Sequence, residues 1–320
     1  MNTVEVAFGP VPSRRLGRSL GINNIPPKIC TYSCVYCQLG RTFRMQVDRD
    51  AFYDPEEIIR AVEARLSELR RKDEPVDYLT FVPDGEPTLD LNLGQEIELL
   101  KQLSIPVAVI TNSSLIFREA VREELSQADW VSLKVDAASE PVWRRINRPH
   151  KELDLAEIKQ GLLEFARTFR GTLASETMLI QGLNEDTAEL EKTAKLLAEL
   201  EPAIAYIAIP MRPPAEAWVK PADEGAVARA YALFSERLPR VELLIGYEGN
   251  AFSTIGDAVQ DLLSITAVHP MRKQAVQELL ARDRAAWEVV RRLLAEGKLV
   301  ELTYRGERFY LRKLSGRSAG

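Results

Sequence analysis

The sequence predicts an α/β protein built on a parallel sheet, followed by a smaller C-terminal unit, and three observations predict it. Short β-rich runs alternate with stretches of helical periodicity over the first two hundred residues, the pattern of successive βαβ units. Near Ala251 that rhythm stops, and helical stretches are followed by two closely spaced β-rich runs. Charge divides at a similar point: from Ile265 to Gly320 there are twelve Lys and Arg against six Asp and Glu, a local balance of +6 in a chain whose net charge is −5. The expected units are therefore residues 1–250 and 251–320. Alternation alone leaves open whether the sheet closes as a barrel or stays flat.

The elements follow in order. Between Phe8 and Asn23 the glycines and prolines predict turns, with a short strand near Ser19 to Asn23. Asp54-Pro-Glu-Glu57 predicts a helix start, with an N-cap aspartate and Pro at the first helical position. Ile58, Ile59, Val62, Leu66 and Leu69 then give that helix one apolar face. A strand is expected at Tyr78 to Val82, ending in Pro83-Asp-Gly-Glu-Pro-Thr88. Further strands are expected at Val107 to Thr111, Trp130 to Val135, Leu173 to Ile180 and Ile204 to Ile209, with helices at about 91–104, 116–126, 154–169 and 186–200 between them. In the second unit, helices at 269–280 and 284–296 precede strands at Lys298 to Tyr304 and Arg308 to Lys313, which turn at Arg305-Gly-Glu307. Two helices and a β-hairpin resemble a winged helix. Ser315 to Gly320 has the composition of a disordered end.

With 46% hydrophobic and 28% charged residues, the composition is that of a soluble globular protein. No apolar run approaches bilayer length, and Arg14, Arg15 and Arg18 stand near the start without an export segment, so the expected compartment is the cytoplasm and no membrane partner is expected.

All three cysteines lie within one eight-residue stretch, Cys30 to Cys37, at the spacing C-x3-C-x2-C. A disulfide would leave one thiol over. Zinc would need a fourth ligand, and the two histidines, His150 and His269, are far off in sequence. Three buried structural thiols remain open. A redox cluster fits the spacing, since one short loop then supplies three corners of a small inorganic cube and leaves the fourth iron open.

The C-x3-C-x2-C loop with Tyr36 before its last cysteine resembles the signature of the radical S-adenosylmethionine (SAM) superfamily. That resemblance implies an incomplete (β/α)6 barrel, a [4Fe-4S] cluster on Cys30, Cys34 and Cys37 at its carboxyl-end mouth, and SAM chelated to the open iron. Reductive cleavage of SAM to a 5′-deoxyadenosyl radical and an electron donor such as a flavodoxin or ferredoxin are implied with it. Tyr36 would lie near the adenine. Asp84-Gly-Glu-Pro87 is similar to the superfamily's Gly-Gly-Glu-Pro motif, which implies that Gly85, Glu86 and Pro87 hold the SAM amino group; Asp84 departs from the pattern. Asn112, in Thr111-Asn112-Ser113, would reach the ribose. Period two places Ser132, Lys134 and Asp136 on one face of a strand, where a SAM carboxylate and ribose would satisfy them; the alternative is that this face is solvated.

Substrate candidates are Arg14 and Arg15, which could grip an anion or line a solvated edge, together with Arg148, His150, Asn184, Arg212 and Glu216. The Gly9-Pro-Val-Pro-Ser-Arg-Arg-Leu-Gly17 opening, Asp84-Gly-Glu-Pro-Thr-Leu89, Arg148-Pro-His150 and Gln181-Gly-Leu-Asn184 resemble the branch related to tRNA wyosine synthases. That branch carries a second cluster on further N-terminal cysteines, and this chain has no cysteine for one. Three functions follow as expectations: a radical SAM enzyme acting on RNA through its basic C-terminal segment; the same chemistry on a protein or small metabolite, with the winged-helix-like unit as a docking module or lid; or an iron–sulfur redox sensor that binds DNA.

Overall fold

The computed structural model describes residues 6–246, 252 and 256–313. The expected unit boundary at 250/251 and the segment from Ser315 to Gly320 lie outside the described residues. The chain begins with an antiparallel pair, β1 (Ala7–Ser13) and β2 (Gly17–Ile22), then the two-residue strands β3 (Ile29–Cys30) and β4 (Arg44–Met45). Next come α1 (Pro55–Arg70), β5 (Tyr78–Phe81), α2 (Leu93–Lys101), β6 (Val107–Thr111), α3 (Glu119–Leu125) and β7 (Trp130–Lys134). They are followed by α4 (Glu140–Asn147), α5 (Leu155–Thr168), β8 (Thr172–Met178), α6 (Thr187–Leu200), β9 (Ile204–Ala208), α7 (Glu224–Ser235) and β10 (Val241–Leu244).

Among the described residues the main sheet has eight strands in the order β1-β2-β5-β6-β7-β8-β9-β10. Only β1 is antiparallel; β2 to β10 run parallel. Side chains alternate as period two requires: Val131 and Leu133 enter the large cluster formed with the covering helices, whereas Trp130 enters a smaller inner cluster with Ala108, Ala174, Tyr206 and Leu244. The sheet curls into a half-barrel. In a flat sheet β2 and β10 would stand six strand spacings of about 4.8 Å apart, yet Arg14, in the turn between β1 and β2, reaches the Leu243 carbonyl of β10 at 3.5 Å.

Of the turns expected before Ser19, the one at Arg14 to Leu16 is present, but Ala7–Ser13 form strand β1. Its prolines are tolerated because it lies at the sheet's edge, where a missing N–H breaks no ladder on the open side. The register slips between Phe8 and Val11, around Gly9 at φ +86°. Strand β10 and helices α4 and α7 had no counterpart in the sequence-based expectations. The α1 start agrees with expectation: Asp54 accepts a hydrogen bond from the Glu56 N–H at 2.9 Å.

The remaining described residues form α8 (Ala258–Val268), β11 (Met271–Arg272), α9 (Lys273–Arg282), α10 (Glu288–Ala295), β12 (Leu299–Tyr304) and β13 (Glu307–Arg312). Their antiparallel sheet has the order β11-β13-β12, and their cluster is centred on Leu262, Met271, Leu279, Leu293 and Tyr310. The hairpin is where the sequence placed it. The helix expected from His269 starts at Lys273, because Met271 and Arg272 pair with Tyr310 and Phe309 as a third strand. A buried ion pair joins this part to the barrel: Arg65 of α1 donates to Asp261 of α8 at 3.0 Å and to the Gly9 carbonyl of β1 at 2.7 Å. Among the described residues, no helix is long and apolar enough to cross a membrane.

Candidate functional site

A cavity of about 310 Å³ opens at the carboxyl ends of the parallel strands. Cys30, Cys34 and Cys37 line one side of it, with Tyr36, Gly85, Glu86 and Asn112 beside them. Lys134, Glu176, Arg14, Arg15 and Arg212 are the charged side chains on the remaining wall. That one small cavity takes residues from five or more consecutive strands is a consequence of the curl.

The cysteine loop is fixed from two directions. Its backbone N–H groups at Ser33 and Val35 donate to the Asn147 and Ile146 carbonyls at 3.0 and 2.9 Å, and the His150 N–H donates to the Thr31 carbonyl at 2.9 Å. From the other side, the loop after β5 is pressed against β3. The Glu86 N–H donates to the Ile29 carbonyl at 3.2 Å, and a Cβ built on Gly85 would lie 1.8 Å from that same oxygen. Only glycine fits there.

The three cysteines are free thiols. Burial, and after it the Glu86 carboxylate, pushes the Cys30 thiol up to about 12; burial and then Asp136 raise Cys34 as well. As lone side chains Cys30 and Cys34 would keep their protons, so as thiolates these two need a positive centre in the cavity. Two amides aim at the sulfurs: Asn112 Nδ2 lies 3.4 Å from Cys30 Sγ, and Asn147 Nδ2 lies 3.4 Å from Cys34 Sγ. Among the described residues, no three His, Cys, Asp or Glu side chains converge closely enough to hold a single metal ion. Three thiols spread along a cavity wall, with amide donors at the sulfur atoms, fit a multi-iron cluster better than one zinc ion.

Glu86 is 1% exposed. Its Oε1 accepts from the Thr88 N–H at 3.1 Å and from the Thr88 and Thr111 hydroxyls at 2.6 Å each; its Oε2 accepts from the Asn112 N–H at 2.7 Å. Burial raises its pKa, and these donors oppose the rise. Across the cavity, Lys134 Nζ donates to Glu176 Oε1 at 2.5 Å, and Arg15 donates to Oε2 of the same carboxylate. Burial would raise Glu176, but Lys134 and Arg15 outweigh it and hold the carboxyl at about 2. The Lys134 ammonium also lies 5.0 Å from the Tyr36 ring centroid.

The structure thus gathers Tyr36, Gly85, Glu86, Asn112, Lys134, Arg14, Arg15 and Arg212 around the cysteines and places the other expected residues elsewhere. Asp136 is buried, accepting from the Tyr36 hydroxyl, from Asn147 Nδ2 at 2.7 Å and from the Met178 N–H at 2.9 Å, so it fixes Tyr36 from behind. Ser132 is buried and off the cavity wall, and Pro87 opens a buried 3-10 turn, Pro87–Leu89. Asn112 turns its amide to the cysteine loop, donating to the Thr31 hydroxyl at 2.8 Å. Asn184 ties the end of β8 to Asp136, with Nδ2 donating at 2.8 Å to the carbonyls of Asp136 and Met178. Arg148 and Arg41 both pair with Glu216, at 2.5 and 2.9 Å, off the cavity wall. His150 serves the cysteine loop through its backbone. Glu176 had no place in the sequence-based site, although it is the one carboxylate within an otherwise uncharged strand beside Lys134's.

The radical SAM superfamily model matches residues 24–197. The chain belongs to the radical SAM superfamily. A relative, UPF0026 protein MJ1312 of Methanocaldococcus jannaschii, is 46% identical over 316 residues, covering 98% of each chain. Solved radical SAM structures share the fold of this protein. One described as TYW1 with a lysine-pyruvate adduct bound has a TM-score of 0.52 at 18% identity, covering 69% of this chain and 74% of its own. Another, Streptococcus suis SuiB bound to S-adenosylmethionine, has a TM-score of 0.52 at 13% identity, covering 75% and 56%. Membership makes the chain an enzyme and implies an iron–sulfur cluster and S-adenosylmethionine as its cofactors.

Proposed function

We infer that Cys30, Cys34 and Cys37 hold a [4Fe-4S] cluster in the barrel mouth and that SAM occupies the cavity against Tyr36, Gly85, Glu86 and Lys134. The observation that carries this reading is the shared wall: three thiols, a buried carboxylate and a charged lysine face one cavity of about 310 Å³. When bound, the cluster supplies the electron that cleaves SAM to methionine and a 5′-deoxyadenosyl radical.

The side chains have separable tasks. A carboxylate offers about four lone-pair sites, and Glu86 Oε1 is filled by three donors whereas Oε2 has one, so Oε2 keeps capacity for an ammonium group. Lys134 is held cationic by Glu176 and Asp136 against the opposing effect of its own burial. It therefore suits a carboxylate of SAM or substrate, and is poorly poised as the amine nucleophile that a lysine-pyruvate adduct requires. Tyr36, anchored by Asp136, gives the adenine a fixed aromatic face. Domain division is read as 1–250 and 251–320, the second part being of winged-helix type by its order of helix, strand, two helices and hairpin.

For substrate, we place a protein or small molecule before RNA. Arg272, Arg291, Arg292, Lys298 and Arg308 each face a carboxylate of the same C-terminal part, so its cations are interspersed with acids rather than gathered as a bare basic face. The hairpin leans on the barrel, with the Tyr304 hydroxyl donating to the Pro210 carbonyl at 3.0 Å. The test is anaerobic incubation of reduced protein with SAM, with mass-spectrometric detection of 5′-deoxyadenosine. The wild type should release it and Cys34→Ala should not; release by both would refute the assignment. Retention of labelled tRNA or rRNA at low salt would restore the RNA reading.

A further inference from the structure

The chain leaves two large apolar side chains exposed on the segment that follows the cysteine loop: Phe43 is 49% exposed and Met45 is 36% exposed. They flank Arg44, itself exposed, and Met45 pairs directly with Cys30 in the β3–β4 register. The Gln46 N–H donates to the Cys30 carbonyl at 3.2 Å and the Phe43 N–H to the Lys28 carbonyl at 3.0 Å, so this surface is bonded to the backbone that carries the first cysteine. Adjacent strands lie about 4.8 Å apart. The exposed face is therefore separated from a candidate cluster ligand by one strand.

Its charge is positive. Arg41, with its side chain 69% exposed, and Arg148, 40% exposed, share the single carboxylate of Glu216, and Arg44 adds a third guanidinium. An exposed apolar pair rimmed by arginines is the composition of a protein-binding patch, and its charge selects an acidic partner. The cavity does not reach this surface: none of Phe43, Arg44 and Met45 lines it.

We propose that Phe43, Arg44 and Met45, with Arg41 and Arg148 at the rim, form the docking surface for an acidic, low-potential one-electron carrier protein. The carrier loses one electron and the cluster behind Cys30 gains it, with no bond made or broken and no proton required. This rests on the cluster assignment above, and its test separates the two. A flavodoxin is the probe. Its binding to the full chain is measured by calorimetry at rising salt, and its reduced form is mixed with cluster-loaded protein while the cluster's visible absorbance is followed by stopped flow, with dithionite as the small-molecule control.

For Arg44→Glu and for Met45→Glu, iron content and the dithionite rate should stay at wild-type values, while the flavodoxin-driven rate and affinity fall at least tenfold. Wild-type binding should weaken with salt. Phe43→Ser, which keeps the charge, should lower affinity and leave that salt dependence in place. Flavodoxin rates unchanged in both charge variants, or a parallel loss of the dithionite rate or of iron, would overturn the docking assignment. Wild-type protein that takes up no iron would refute the cluster reading instead. Self-association through this face, lost in Met45→Glu and indifferent to flavodoxin, would assign the patch to a second copy of the chain and overturn the proposal.

Discussion

Two residues set the site's tolerances most sharply. Gly85 sits where any Cβ would collide with the Ile29 carbonyl, so Gly85→Ala must separate the loop after β5 from the cysteine strand. Overpacking of this kind costs about 1–3 kcal/mol; a lowered thermal midpoint together with reduced iron uptake is expected, and an unchanged uptake would show that the loop does not position the cysteines. Glu176 makes a prediction in pH. Its carboxyl is held at about 2, below the ordinary value of 4.5, because the nearby cations outweigh its burial. The resulting stability is present above pH 4.5 and is lost as pH falls from there toward 2. Glu176→Gln leaves Lys134 and Arg15 without their shared counter-charge, costing on the order of 3 kcal/mol at neutral pH, and should flatten the acid limb of the stability curve. Denaturant titrations at several pH values measure both effects. The cysteines and Glu86 were legible in the sequence because their spacing and neighbouring residues carry a pattern. Glu176 was not, because its significance comes from Lys134 on the next strand and Arg15 from a distant turn, a pairing that only the fold creates. Asp136 was expected beside the cofactor, but it lies off the cavity wall, where its partners, Tyr36, Asn147 and the Met178 N–H, make it an anchor for the site wall.

At the scale of elements, periodicity located β5 to β9 and, α4 apart, the helices between them, since buried parallel strands are short apolar runs and each of those covering helices shows one apolar face. Capping residues fixed several starts. Asp154 accepts from the Ala156 N–H at 2.7 Å and the Glu157 N–H at 3.2 Å, and Asp154→Ala is expected to destabilise by about 1 kcal/mol, read from the urea midpoint, without changing iron content. The misses have local causes. Prolines in β1 read as turn signals, and only the strand's edge position makes them acceptable. Strand β10 is four residues long and half-buried, too short for an alternating pattern to stand out. Strand β11 has two residues and exists only through its pairing with β13.

Across the whole molecule, the C-terminal part is fastened near the barrel mouth. Arg65 and Asp261 form a buried pair between α1 and α8, Tyr304 and Arg305 hold Pro210 and Met211, and Arg212 meets both Gln38, beside Cys37, and His269, after α8. Asp261→Ala leaves Arg65 with only the more distant Glu68 carboxylate, at 3.7 Å, and should cost about 3 kcal/mol in global stability, seen as a lower denaturant midpoint; a wild-type midpoint would mean that the pair does not hold the two parts together. The charge asymmetry that suggested a nucleic-acid partner is legible in the sequence, but the interspersing of its cations with carboxylates is visible only in the structure. The account as a whole depends on an iron cluster that meets SAM in the cavity. Its most direct test is the electron paramagnetic resonance spectrum of anaerobically reconstituted, reduced protein before and after SAM is added. The account predicts a [4Fe-4S]⁺ signal whose g-values shift with SAM and which is absent in Cys34→Ala; a signal indifferent to SAM, or no iron in the wild type, would contradict it.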